Sequence, residues 1–396
     1  MKSKLEITLS EFDKWQHLFS HQDIKTRRKT KDFFHASCPC GNDSPLPPSN
    51  GLADKLTQGV TLKIGFYVTG SATSSYHDLI NQIQYADDVG FDSIWLRERH
   101  FHPDYQGRNF FSSPFVAASY IAARTKRVRI GIGARILPLD HPIHIAEDAA
   151  TVDIISKGRL DFGIARIGEN ELYQNAFGVG SEETRDRFEQ SFEVIIKAWT
   201  EERFSYEGLY EIPEVFVIPR PVQKPHPPIY LVGISSETLQ FGAKRGLPLL
   251  LAGAQTVPIV KKTQENYSQL LKQSGYKRED VVSPVNRFIY VAETNEKAVE
   301  ETKETIMGFI HRSGSVIRDF LFLPKEEITY NLLFKEVCIF GDPDYCLRRI
   351  EEIKNTIDLR NLILTFNYYT IDHTKCFQSM ERFTKYVLPH LKEKEV

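Results

Sequence analysis

Glu98, Arg99 and His100 are three consecutive ionisable residues that follow directly on the apolar run around SIWL (Ser93 to Leu96). A carboxyl and an imidazole two positions apart can exchange protons near neutral pH, where imidazole titrates without special help. The arginine between them stays cationic and acts as a fixed positive charge, not as a base. A rim salt-bridge cluster would use the same three residues. Arg166 is a second candidate, because it follows the run RLDFGIA and a guanidinium at a strand end can grip a phosphate through two parallel bonds. Ser235, Ser236 and Thr238 form a third, at the start of a helix in VGISSETLQFGAKRGLPL. Hydroxyls there cap the helix, and the same turn offers backbone N–H groups and a favourable dipole to a phosphate.

The elements that must position these groups alternate. From Leu62 the chain passes through short apolar runs separated by helix-length segments, and polar side chains follow the runs. The spacing predicts strands at Leu62–Val68, Ser93–Leu96, Val128–Leu137, Arg159–Ala165, Ile229–Gly233, Leu247–Gly253, near Arg287–Ala292 and at Asn361–Asn367. Helices are expected at about Tyr76–Val89 and Glu182–Trp199, with a terminal helix over CFQSMERFTKYVLPHL. Arg203–Pro228 is an insertion punctuated by aromatics and prolines, and Gly314–Glu336 is a helical segment suited to a lid. Eight runs interleaved with helices argue for an α/β fold, a (β/α)8 TIM barrel with insertions and an N-terminal extension, whose chemistry sits at the C-terminal ends of the strands. GFYVTG (Gly65 to Gly70) lacks the spacing of a dinucleotide fingerprint, so a Rossmann site is disfavoured.

The division expected is an arm over residues 1–61 and the barrel over 62–396. In the arm, Phe12, Trp15, Leu18 and Phe19 share one helical face, and Thr8 and Glu11 are spaced as a capping box. CPCGNDSPLPPSNG then reads as loop or linker. The arm either packs on the barrel or docks a partner protein. Across 396 residues, 50 basic side chains nearly balance 52 acidic ones, which points away from nucleic acid or an anionic membrane as the main partner. No signal peptide or apolar span is seen, and an odd, sparse set of five cysteines suits reduced thiols in a cytoplasm. His35, Cys38 and Cys40 lack the further ligands that a structural zinc needs, so no metal is expected.

The words ERHF, ILPLDHP and SKGRLDFGIAR, in this order, resemble the bacterial luciferase-like family of flavin-dependent monooxygenases, over roughly Leu62 to Leu391. The resemblance implies reduced FMN, O2, a C4a-peroxyflavin, a separate flavin reductase and a homodimer. The substrate it implies is an organic small molecule or a carrier-bound group, in secondary metabolism. It places Arg166 and the turn at Gly233, Ser235, Ser236 and Thr238 on the FMN phosphate. Strand three passes under the flavin ring near Gly133 and Ala134, often with a bulge or a non-proline cis peptide; plain barrel packing is the other reading of those small residues. Asp140 and His141 are read as rim residues only. The family commonly has Glu-His-His-Phe where this chain has Glu98, Arg99, His100 and Phe101. Arg99 therefore replaces the catalytic first histidine and leaves proton transfer to His100 or Glu98. Ala165 stands where a reactive cysteine sometimes precedes the arginine, Ile234 stands where an acidic residue is common, and Glu171 lies in a loop one residue longer than usual. Two other readings share this barrel: an F420-dependent hydride-transfer enzyme, and a non-catalytic flavin-binding relative.

Overall fold

The computed structural model describes residues 61–70, 73–101, 111–167, 171–312, 321–324 and 327–392. The arm expectations, including His35, Cys38 and Cys40, lie outside the described residues. Strands β1 (Lys63–Val68), β2 (Ser93–Leu96), β3 (Arg129–Ile136) and β4 (Leu160–Ala165) alternate with helices α1 (Tyr76–Val89), α2 (Pro114–Arg124) and α3 (Pro142–Ile155). Helices α4 (Glu171–Phe177) and α5 (Thr184–Thr200) follow, and the expected insertion is a small antiparallel hairpin of β5 (Phe204–Tyr206) and β6 (Ile212–Val215). Then come β7 (Ile229–Val232), α6 (Ser236–Ala243), α7 (Val257–Gln273), β8 (Val285–Val291) and α8 (Asn295–Arg312). The chain continues through α9 (Tyr330–Glu336), β9 (Cys338–Gly341), α10 (Pro343–Thr356), β10 (Asn361–Thr365), α11 (His373–Tyr386) and α12 (Leu388–Lys392).

The main sheet is parallel, in the order β7-β4-β3-β2-β1-β10-β8-β9. Leu249 bridges Leu231 on one side of the run, and Leu251 bridges Val285 on the other. Residues 249–251 thus stand between β7 and β8, and the architecture is of the TIM-barrel type. Three expectations need correction. Leu247–Gly253 makes isolated bridges, not a full ladder; Pro248 within it has no N–H to donate. The strand β9 was not foreseen; it extends the sheet beside β8. The terminal helix is two helices, α11 and α12, parted at Val387.

The outer apolar core fills the space between strands and helices, while a separate interior cluster of Trp95, Leu250 and Ile363, joined by Tyr67, Tyr230 and Val232, plugs the barrel. The size of the plug dictates small residues around it. A Cβ built on Gly131 would lie 2.3 Å from the Trp95 ring, so only glycine fits. Local signals agree with the global fold at α1, where Ser75 and Asp78 form a reciprocal capping box and Gly90 closes the helix in the left-handed region.

Asp87, near the end of α1, fixes the entry to β3. Its carboxylate accepts the backbone N–H groups of Lys126 (2.7 Å), Arg127 (3.0 Å) and Val128 (2.8 Å). Burial opposes ionisation, yet these amides and the Arg127 guanidinium outweigh it and hold the carboxyl below its ordinary range. A depressed carboxyl stabilises the fold above the unfolded-state pKa, and that stability is lost as pH falls through the folded value. Asp87→Asn is therefore expected to cost about 1–3 kcal/mol near neutral pH. The gap to wild type should narrow in denaturant unfolding curves taken down through the carboxylate range; a gap independent of pH contradicts this account.

Candidate active site

β2 delivers Glu98, Arg99 and His100 to the C-terminal end of the barrel, as its position in the alternation demands. Glu98 is the centre of the arrangement. Its side chain is fully buried, and it accepts from the Arg135 guanidinium, from the backbone N–H of Ile136 (2.8 Å) and from His100 Nε2 (2.9 Å). Arg135 also donates to Asp140 (2.8 Å). A carboxylate engaged on both oxygens by such donors accepts, so Nε2 of His100 carries a proton and Nδ1 is the nitrogen left to take one. Glu98 is thus enclosed by its partners, while His100 keeps 18% of its side chain exposed.

The His100 backbone is also held. Its N–H donates to the Tyr173 hydroxyl (3.0 Å), and that hydroxyl donates to the His100 carbonyl (3.0 Å). The imidazole packs edge-on to Phe177 with 4.8 Å between centroids, and Phe101 and Tyr173 complete an aromatic wall. Arg99 is half-buried at the same end of β2. Asp140 and His141 are not idle rim residues: Asp140 pairs with Arg135, and the His141 side chain accepts from the Ile143 N–H to cap α3. Burial pushes the His141 imidazole below its ordinary value.

The strand-three turn has the expected irregularity. The Gly133–Ala134 peptide is cis, and pairing with β4 shifts register between Ile132 and Arg135. Tyr67, from the barrel plug, donates its hydroxyl to the Gly133 carbonyl. Ala134 is buried, and a Cβ on Gly133 would lie 2.9 Å from Leu250, so glycine lets this peptide lie close against the plug.

About a strand away, Arg166 at the end of β4 lines a small open cleft with Arg185, Thr238, Glu189 and Glu237 over a floor of Leu231, Val232, Phe188 and Phe241. The Ser235 hydroxyl caps α6 by accepting from the Thr238 N–H (3.3 Å) and sits 2.9 Å from the Thr238 hydroxyl. Ser236 accepts from Gln240 (3.3 Å), which directs its hydroxyl along the helix. Gly233 has φ +141°, and a Cβ there would lie 2.9 Å from Thr238, so glycine lets β7 turn tightly into the helix. Ile234 is buried where the family often has an acid. Glu171 opens α4, and residues 168–170 before it lie outside the described residues.

Arg135, Tyr173, Tyr67 and Arg185 were not singled out from sequence. Arg135 carried a usable signal, since a charge inside an apolar strand requires a buried partner. Arg185 carried none, because TRDRFE reads as the solvated face of an amphipathic helix. Its approach to Arg166 and its ion pairs with Glu237 (3.7 Å) and Glu189 (4.0 Å) are tertiary facts. Among the described residues no group of three His, Cys, Asp or Glu side chains is placed to hold a metal, and no helix is long and apolar enough to cross a membrane. Cys338, Cys346 and Cys376 are free and buried, and burial pushes their thiols well up.

The structure thus combines a parallel β/α barrel, a histidine hydrogen-bonded to a buried glutamate at its mouth, and a cleft of two arginines and two glutamates beside a helix N-terminus. The chain belongs to the luciferase-like monooxygenase family, whose model matches residues 57–359, and its class is that of a flavin-dependent monooxygenase. The alkanal monooxygenase alpha chain of a Kryptophanaron alfredi symbiont is 25% identical over 338 residues, 80% of this chain and 93% of the relative. The oxygenase component of flavin-dependent trigonelline monooxygenase from Acinetobacter baylyi is 29% identical over 235 residues, 56% of this chain and 61% of the relative. Among solved structures, monooxygenase RslO1 from Streptomyces bottropensis superposes with TM-score 0.72 at 25% identity, covering 83% of this chain and 99% of that one. An F420-dependent secondary alcohol dehydrogenase, with TM-score 0.67 at 17% identity over 84% of this chain and 100% of its own, shares the fold.

Proposed function

We propose that this chain binds reduced FMN, supplied by a separate flavin reductase, and uses O2 to place one oxygen atom in an organic substrate. The observation that carries this reading is the cleft at the end of β4 and β7. Two guanidinium groups, the Thr238 hydroxyl and the start of α6 converge there, a donor set that fits one terminal phosphate. Arg166, Thr238 and the backbone of residues 235–238 would hold that phosphate, with Arg185, shared with Glu237 and Glu189, at its edge. Gly133, Ala134 and Tyr67 would support the ring. When bound, the flavin supplies the oxygen activation. The protein's part is orientation, exclusion of water and proton handling.

His100 is the proton-handling residue in this reading. Glu98 fixes its tautomer, Arg135 fixes Glu98, and Tyr173 fixes its backbone. Arg99 contributes a permanent positive charge at the same mouth, suited to stabilising developing negative charge. The relative named as an oxygenase component supports a two-protein system, as does the absence of a dinucleotide fingerprint at the first strand.

The test is a comparison of cofactors. FMN should bind more tightly than FAD, and reduced FMN mixed with oxygenated buffer should show protein-dependent oxidation kinetics. Hydride transfer to or from F420 without oxygen uptake would replace this reading with the dehydrogenase one.

A further inference from the structure

The mouth of the barrel holds a cation that the chemistry above leaves unused. Arg97 continues the two-residue alternation of Ser93 and Trp95, both of which face the interior. Trp95 sits in the barrel plug and donates from Nε1 to Ser93 Oγ (3.0 Å). Arg97 follows on the same face, one step nearer the open end. Tyr67 is the cross-strand neighbour of Trp95, and Arg97 follows Trp95 by two residues, just past the end of β2; its charge opposes the rise that burial imposes on the Tyr67 phenol.

Two other arginines of this end, Arg135 and Arg185, are paired with carboxylates. Arg135 is held by Glu98 and Asp140, and Arg185 by Glu237 and Glu189. Glu98, adjacent in sequence, is turned away toward Arg135 and His100. Arg97 is half-buried, and among the described residues no carboxylate or other hydrogen-bond acceptor pairs with it. A guanidinium that is partly removed from water with its donors unfilled favours an anion arriving from outside. Its planar fork matches a carboxylate in two parallel bonds.

We propose that Arg97 binds the carboxylate of the substrate, so that the substrate class is an organic acid held by its acid group inside the barrel mouth. The word substrate rests on the monooxygenase reading, but the binding does not require the flavin. The test is calorimetric titration of the full, flavin-free chain with octanoate and benzoate, each beside its neutral alcohol, octanol and benzyl alcohol. At least one acid should bind about tenfold or more tightly than its alcohol. Arg97→Met should weaken that acid by about ten- to a hundredfold and leave the alcohol within about twofold. Arg97→Lys should recover part of the acid affinity and guards against a methionine variant that fails to fold. Acids that bind no better than alcohols, or a preference that survives Arg97→Met, overturn the proposal. A loss of FMN affinity in Arg97→Met with acid binding unchanged would assign Arg97 to the cofactor, and overturns it too. Failure of wild type to bind FMN would strike the monooxygenase reading and leave the acid titration readable.

Discussion

Arg166→Ala is expected to weaken FMN binding by about ten- to a hundredfold, corresponding to the roughly 1.5–3 kcal/mol of a charge-assisted contact. Arg185 lines the same cleft, but it is shared with Glu237 at 3.7 Å and Glu189 at 4.0 Å, so it cannot fully replace the charge of Arg166 when that residue is lost. The start of α6 then remains as the main attraction for a phosphate, worth less than a guanidinium at close range. Arg166→Lys should fall between wild type and alanine, because the ammonium keeps the charge and loses the parallel pair of bonds. Quenching of flavin fluorescence at several salt concentrations measures all three. The fold should hold, since Arg166 stands at a strand end and is only half-buried. FMN affinity equal to wild type in the alanine variant would remove Arg166 from the site and with it the main support for a phosphate cleft.

The parts of this molecule that were legible in the sequence are those set by local pattern. SIWL is the whole of β2, and Tyr76–Val89 is the whole of α1, because a four-residue apolar run and a capped amphipathic segment each have one good solution. The end-of-strand candidates followed from the same alternation, which is why Glu98, His100 and Arg166 all stand at the C-terminal end of the barrel. What sequence did not show was decided by partners distant along the chain. LPLLLAG reads as a strand, but Pro248 cannot donate and only Leu249 and Leu251 bridge to neighbours. CIFG was not singled out between its helices, yet Phe288–Val291 of β8 gives it a parallel partner. Tyr173 lies 73 positions from His100 and still binds both of its backbone groups. The sequence left proton transfer to His100 or Glu98, and it did not show the three donors, Arg135, His100 and the Ile136 amide, that surround the Glu98 carboxylate.

That difference shapes the prediction for His100. If His100 moves the proton, His100→Ala should slow the proton-dependent steps by about 10²–10⁴-fold while FMN affinity stays close to wild type. Glu98→Gln should produce a related but distinguishable defect. An amide still accepts on one atom but donates on the other; nitrogen in place of Oε1 faces the donors of Arg135 and His100, and nitrogen in place of Oε2 faces the Ile136 N–H. With nitrogen at the Oε1 position, donor would face donor, Arg135 would loosen, and the His100 ring would lose the acceptor that holds its proton on Nε2. Turnover should therefore fall together with a change in the ring-nitrogen NMR signals of His100, which report the tautomer directly. A stability effect alone would lower the unfolding midpoint without moving those signals. Oxygen consumption, product and hydrogen peroxide should be followed side by side, because a site that holds the flavin but mishandles the proton consumes oxygen without delivering it to substrate. Arg99→Ala provides the contrast: a missing positive charge should raise peroxide release without altering the His100 tautomer. Wild-type turnover and coupling in both alanine variants would mean that the cluster at the end of β2 is a structural ion-pair network, and that the chemistry is handled from another wall of the barrel.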